Sequence, residues 1–334
     1  MNAAVPDSAA ATAPVTAAPA CLIVNPRSFR ASNNDLAERA ATLARAHGAE
    51  VVNAFHPTQL ERELDRQIAV GQEKVFVLAG DGTVHAIVDH LARKPAGTRI
   101  PRLLVLGGGR TNLIASDFDG RGRLLAKLER ALQRARRQEP FRIDVRPTLV
   151  VEQAPAPPRH GFFVAAGLID TLIREAHRHR EGGEGALREG HFSTPWSLLK
   201  LFVRTVLGRG GPAVPHLRVT ATGAENLREP ARVLVASTLE HREGLLHPYA
   251  PRGEGPLRYT VVGESAPFWR RLVRLLTGRY SAAMTPQNGY LSGRGERLEV
   301  LDLPGYTLDG EKFDADPTRP VVFRTGPRIE FLLP

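Results

Sequence analysis

From Cys21 to about Asp144, short apolar runs alternate with stretches in which apolar residues recur at helical spacing. "CLIVNP" predicts a strand leaving into a turn, and "NNDLAERAATLARAHG" a helix stopped by Gly48. "AEVVNAF" and "PTQLERELDRQIAVG" predict a second strand and a helix ending at Gly71. Strand "KVFVLA", helix "TVHAIVDHLAR", strand "PRLLVLG" and helix "GRLLAKLERALQRARR" follow. Four β-then-α units predict a parallel sheet covered by helices, with ligands at the carboxyl ends of its strands.

Beyond "FRIDVRPTLVVEQ" the pattern changes. Short β-like runs ("TLVVE", "GFFVAAG", "HLRVTATG", "ARVLVAST", "LRYTVVG", "RLEVLDLPG", "PVVFRTG", "RIEFLLP") are separated by Pro, Gly and charged loops, which predicts a mainly antiparallel, sandwich-like layer. The expected organisation is a disordered Ala/Pro-rich tail over residues 1–20, an α/β nucleotide domain over 21–145 and a β-rich acceptor domain over 146–317, with a last strand at about 318–334 that returns to the first domain.

A chain of 334 residues can bury two such cores. No apolar run reaches the roughly 18 residues that a membrane span needs. Lys and Arg together number 45 against 35 Asp and Glu, and the net charge of +10 favours polyanionic neighbours. The single cysteine, Cys21, excludes an internal disulfide framework and fits a reducing compartment, so a cytoplasmic location is expected. "AAPAC" before the first strand has no basic segment upstream and reads as tail rather than leader.

Candidate chemistry sits at two glycine corners. "KVFVLAGDGTVHAIVDH" sets Gly80, Asp81, Gly82 and Thr83 between a strand and a helix, where close backbone approach and unpaired helix N–H groups suit an anion. "RLLVLGGGRTNLIASDF" repeats the arrangement one unit later with Gly107, Gly108 and Gly109 before Thr111 and Asn112. Either alone reads as a tight turn. Two on neighbouring parallel strands read as a polyphosphate cradle, and Asp81 beside phosphate implies a bridging Mg²⁺. Neither a Walker A loop nor G-x-G-x-x-G is present, and the protein-kinase signature set is absent.

These residues resemble the lipid kinases related to diacylglycerol kinase and sphingosine kinase. That family's G-G-D-G-T is similar to "AGDGT", its N-P-x-S-G to "NPRSF" (Asn25 to Phe29), its G-G-x-T-N to "GGRTN" and its late D-G-E to "LDGEKF". The four motifs keep their order from Asn25 to the C-terminus, which covers nearly all of the expected folded chain. The resemblance implies ATP and Mg²⁺ as cofactors. It implies a nucleotide site lined by Asn25, Thr58, Gly80, Asp81, Gly82, Thr83, His85, Gly108, Gly109, Arg110, Thr111 and Asn112. It further implies Asp81 at the Mg²⁺ of the phosphates, Glu311 as general base on a lipid hydroxyl, and Asp144 as a third required carboxylate. The departures are Ala79 and Phe29 in place of glycines, Arg110 where one form of the corner has threonine, and Leu113 where an acid often follows Asn. Glu254-Gly255 only approximates a structural Mg²⁺ motif, and no metal is expected there.

Two stretches bear on the acceptor. "PWSLLKLFVRTVLGR" (Pro195 to Arg209) and "PFWRRLVRLLTGRY" (Pro267 to Tyr280) combine Trp, aliphatics and cations. In the second, Trp269, Leu272, Val273, Leu276 and Tyr280 follow helical spacing, which suits either an anionic bilayer interface or packing on the protein's own core. "HRHREGGEGALREGH" (His177 to His191) reads as a solvated loop without metal-ligand spacing. The leading expectation is an ATP- and Mg²⁺-dependent lipid kinase, diacylglycerol-type acceptor favoured, peripheral on the cytoplasmic membrane face. Its partners would be nucleotide and lipid, not nucleic acid, with self-association through an edge strand open. A soluble NAD kinase-like enzyme and a non-catalytic lipid or nucleotide binder are the alternatives. The first lacks its expected Asn-Glu pair; Arg110 and Ala79 motivate the second, which retained Asp81 and Glu311 oppose.

Overall fold

A computed structural model of the chain describes residues 18–28, 35–109, 112–118, 123–181, 214–223, 226–240 and 247–334. The Pro195–Arg209 stretch, Arg110 and Thr111 lie outside them. The first part alternates strand and helix: β1 (Cys21–Val24), α1 (Leu36–Ala46), β2 (Glu50–Asn53), α2 (Pro57–Ala69), β3 (Lys74–Ala79), α3 (Asp81–Ala92), β4 (Arg102–Gly107), α4 (Leu113–Phe118) and α5 (Leu124–Arg136). β2, β1, β3 and β4 pair in that order, all parallel. Apart from partly buried Lys74 and Arg102 at their starts, β3 and β4 are buried throughout, as central parallel strands covered on both faces must be. Leu60 and Leu64 of α2, with Val84, Ile87, Val88 and Leu91 of α3, cover one face. Ala40 and Ala44 of α1 and Leu128, Ala131, Leu132 and Ala135 of α5 cover the other. The sheet is therefore the middle of three layers.

The second part comprises β5 (Arg142–Glu152), β6 (Arg159–Gly161), β7 (Phe163–Gly167), α6 (Leu168–Glu181), β8 (Arg218–Ala221), β9 (Ala231–Ser237), β10 (Leu257–Gly263), α7 (Phe268–Leu276), β11 (Tyr290–Gly295), β12 (Arg297–Leu301), β13 (Gly305–Leu308), β14 (Glu311–Asp314) and β15 (Val321–Leu333). β11, β10, β9, β7, β13 and β14 form an antiparallel sheet in that order. It packs on the strands β5, β8, β12 and β15 through Leu149, Val164, Leu234, Val261, Leu298, Tyr306 and Phe323. This is the mainly antiparallel sandwich that the period-2 runs predict. Its outer face carries α6 and α7 over Leu168, Phe268, Leu275 and Tyr290.

Two long strands join the layers. β15 lies parallel to β4 through Phe331↔Leu103, and antiparallel to β12 through Val321 to Arg324. β5 pairs with β15 along nearly its whole length. The runs "FRIDV" and "TLVVE" are thus one strand, as are "PVVFRTG" and "RIEFLLP". Pro147 is accommodated because it pairs with Arg328 at the register shift after Thr325, where the ladder is already interrupted. Sequence patterning misses four short strands, β6, β11, β13 and β14. It also misses the helices α4 and α6, and the reading of His177 to His191 as a loop is corrected over 177–181, which belong to α6, while 182–191 lie outside the described residues.

Phe331 anchors the junction, fully buried, stacked on Phe118 at 3.9 Å and edge-on to Phe162 at 5.7 Å. Phe331→Ala is expected to cost about 3–5 kcal/mol, the range for emptying such a site. Urea unfolding of the two chains measures it, and a midpoint close to wild type would contradict this anchoring role.

Candidate functional site

The two glycine corners meet. β3 runs into Gly80, which is extended and caps α3, and α3 begins at Asp81, two residues ahead of the predicted start. An acid in the first turn complements the positive end of the helix. Gly108 N–H donates to Ala79 O at 2.8 Å, continuing the β3–β4 ladder into the second corner. A Cβ on Gly109 would lie 2.8 Å from Gly80 Cα, and one on Gly108 would lie 3.1 Å from both Ala79 N and Ser28 Oγ. No side chain fits between these backbones. The first-turn amides of α3 therefore open beside the loop that follows β4.

Two asparagines brace the corners. Asn112, at φ 51°, accepts from Gly109 N–H at 2.7 Å and donates to Gly109 O at 2.9 Å. Asn25 Nδ2 donates to Thr83 Oγ1 at 2.8 Å, while its Oδ1 accepts from Arg27 N–H. The resemblance assigns both to nucleotide contact; here their amides hold the cradle's shape. Ser28, which lies within "NPRSF" but was not singled out from sequence, is 9% exposed. Its hydroxyl has no hydrogen-bond partner among the described residues. A buried hydroxyl without a partner, beside two glycine corners whose backbones no side chain covers, fits an incoming phosphate oxygen. The residues present thus suit a polyphosphate, and Asp81 is the carboxylate that would hold a divalent cation there. Asp81 Oδ1 also accepts from Ile114 N–H at 3.4 Å, joining the two corners.

Glu311 arrives from the far end of the chain. β13 and β14 form a two-residue hairpin in which Asp309 (φ 51°) and Gly310 (φ 94°) both take left-handed conformations, as such turns require. Glu311 is the first residue beyond it, and a Cβ on Gly82 would collide with its Oε1. The carboxylate therefore covers the first turn of α3, one residue from Asp81. The hairpin is anchored by Asp309, which is 2% exposed and accepts from Phe162 N–H and Phe163 N–H at 2.9–3.1 Å and from His85 Nδ1 at 3.1 Å. Asp309 opens the late D-G-E motif, but its burial was not readable from that motif.

His85 is the residue whose placement differs most from the sequence expectation. It points from α3 toward Asp309 rather than toward the cradle. Burial opposes its charged form, yet the hydrogen bond and charge of Asp309, with Asp89 and Glu311 nearby, raise its pKa above the ordinary histidine value. Asp144 is engaged in a two-point pair with Arg146, whose buried guanidinium also reaches Glu240 at 3.2 Å and Asp117 of α4 at 3.5 Å. Its visible role is to tie β5 to the helix that starts beside Asp81. Thr58 is exposed in the first turn of α2, at the same carboxyl edge of the sheet.

A glycine-lined strand edge on a three-layer α/β domain, with a carboxylate delivered by a second, antiparallel β domain, defines the two-domain fold. Residues 19–146 match the family model described as "Diacylglycerol kinase catalytic domain". A crystal structure titled as a diacylglycerol kinase from Bacillus anthracis str. Sterne aligns with a TM-score of 0.59 at 13% identity, covering 94% of this chain and 96% of that one. Two further structures from the same organism, provisionally described as diacylglycerol kinases, align at 0.63 and 0.60 with 13% and 12% identity. Each covers 94% of this chain, and 96% and 97% of the relative. At this identity the likeness is one of fold. A comparison with curated proteins finds no match.

Gly82→Ala tests the arrangement directly. The added methyl meets the mobile end of Glu311, so the fold should survive, with α3 gaining roughly 0.5–1 kcal/mol from the better helix former. Displacing the carboxylate should lower any phosphoryl transfer by on the order of a hundredfold. Steady-state rates beside a thermal melt check both halves, and an active Gly82→Ala enzyme would contradict a role for Glu311.

Proposed function

We propose that this protein is an ATP-dependent lipid kinase that transfers the γ-phosphoryl group to a lipid hydroxyl, with a diacylglycerol-type acceptor favoured. The observation that carries the reading is the Glu311 carboxylate lying over Gly82, at the mouth of the glycine cradle. In this reading residues 21–145 are the nucleotide domain, completed by the returning strand at 318–334, and residues 146–317 supply the acceptor side. The α3 first-turn amides, the Gly108-Gly109 backbone and Ser28 Oγ take the triphosphate oxygens. Mg²⁺ held at Asp81 would neutralise phosphate charge. Glu311 is exposed and accepts the proton of the lipid hydroxyl as its oxygen attacks phosphorus; ADP leaves and a phosphate monoester forms. Little covalent work falls to the protein, so positioning dominates. Arg110 and Thr111 belong to the same corner by sequence, and Arg110 adds a cation for phosphate.

Access to a water-insoluble acceptor is assigned to α7. No helix among the described residues is long and apolar enough to cross a membrane. On α7 the predicted apolar set divides in two. Leu272 and Tyr280 pack with buried Phe268 and Leu275 on the sandwich, whereas Val273, 74% exposed, and Leu276, 37% exposed, face outward. Arg270, Arg274 and Arg279 are exposed around them, and α7 carries no acid. Apolar side chains ringed by cations suit the headgroup region of an anionic bilayer.

Incubation with labelled ATP, Mg²⁺ and mixed micelles of diacylglycerol, sphingoid base, ceramide or polyprenol should label at least one lipid. Asp81→Ala should abolish labelling. Phosphorylation of NAD with no lipid labelled would replace this reading by a soluble-kinase one. For the surface, sedimentation with anionic phosphatidylglycerol vesicles should fall at least severalfold when Arg270, Arg274 and Arg279 are all changed to Glu, since each cation near such a surface contributes about 1 kcal/mol. Undiminished sedimentation would remove α7 from the contact.

A further inference from the structure

One flank of α3 is polar where it meets the second domain. Gly82, His85 and Asp89, spaced by three and four residues, form a single stripe. Gly82 meets Glu311, and His85 meets Asp309. Asp89 Oδ1 accepts from His160 N–H at 2.8 Å and lies 3.1 Å from His160 Nδ1. Burial works against the Asp89 charge, but the His160 hydrogen bonds, with Arg93 nearby, hold its pKa below the usual carboxylate range. His85, His160 and Asp309 are all less than 9% exposed. Buried polar pairs between elements so distant in sequence are an expensive way to hold a fold that apolar packing already holds.

We infer that the His85–Asp309 pair, braced by Asp89–His160 one turn along α3, is a positioning device that sets the Glu311 carboxylate over the phosphate cradle. Glu311 makes no side-chain hydrogen bond or ion pair among the described residues, so its backbone does most to place it, with only the charge of nearby His85 acting on its carboxylate. That backbone is the hairpin, and the hairpin's anchor is Asp309, two residues away. Asp309 spends its oxygens on Phe162 N–H and Phe163 N–H within its own domain and on His85 across the boundary. The Asp309 oxygen facing His85 is an acceptor, so Nδ1 carries the proton. Phe313, further along β14, packs against the same histidine at 5.9 Å and beneath Arg159 at 4.2 Å, extending the grip along the strand. Gly161 completes the fit, since a Cβ there would collide with Asp309 Oδ2. His85 and Asp309 are thus positioning residues, acting through Glu311 rather than on substrate.

The catalytic consequence rests on the proposed kinase reading; the mechanical claim does not. His85→Leu is the informative variant, because Asp309 keeps its two backbone donors and the domain should still fold. Hydrogen exchange of the full chain, followed by mass spectrometry, should show residues 305–314 exchanging roughly tenfold faster in His85→Leu, with the parallel sheet unchanged. His85→Gln, which retains an N–H donor, should restore most of the protection. ATP affinity should stay within about twofold while kcat for lipid phosphorylation falls by on the order of a hundredfold in the Leu variant and recovers in the Gln variant. Wild-type-like exchange of the hairpin in His85→Leu would overturn the inference, as would equal losses of kcat and ATP affinity. If the wild-type chain phosphorylates no acceptor, the kinase reading fails and the exchange of residues 305–314 still decides the seam.

Discussion

The structure turns on three segments that approach more closely than any side chain would allow. Gly80 and Gly109 bring the ends of β3 and β4 into backbone contact, and Gly82 leaves room for the carboxylate of Glu311 on the neighbouring helical turn. Those close approaches make one site from pieces separated by more than two hundred residues. They also explain why the corners contain glycine without relying on unusual backbone angles, since none of the three has a positive φ. Space rather than conformational freedom is what glycine supplies here.

The long strands β5 and β15 make this convergence reproducible. Because β15 pairs with β4 near its end and with β12 near its start, the second domain is joined to the first through a continuous ladder. The β13–β14 hairpin is therefore fixed relative to α3 by a sheet and by the polar stripe on the helix. Arg146 adds a third tie between β5 and α4, a buried cation compensated by Asp144, Asp117 and Glu240. Removal of one partner from such a group leaves an uncompensated buried charge, so these residues weigh on stability whether or not they touch substrate.

The division of labour within the motifs is more specific than their sequence suggests. Asn25 and Asn112 use their amides to brace loops, Ser28 presents a hydroxyl without a partner, and His85 faces the other domain. A motif records which residues occur near a ligand. It does not distinguish those that would touch it from those that keep its cradle rigid, because both need the same small polar side chains.

Periodicity alone was enough to read the four β-α units, the change to an antiparallel second half and the two corners on one sheet edge, because burial on one or both faces imposes a period on each element. It was not enough to join "FRIDV" to "TLVVE" across Pro147, or "PVVFRTG" to "RIEFLLP" across Gly326-Pro327. Proline and glycine are strand breakers locally, and only the partner strand shows that the ladder resumes. The strands β13 and β14 are too short to show a period, so the hairpin that carries Glu311 was visible only as Asp-Gly. What Asp309 binds, which way His85 points and which side of α7 faces outward depend on contacts between residues far apart in the chain. Tertiary packing decided those, since a local pattern contains no information about which distant surface will cover it.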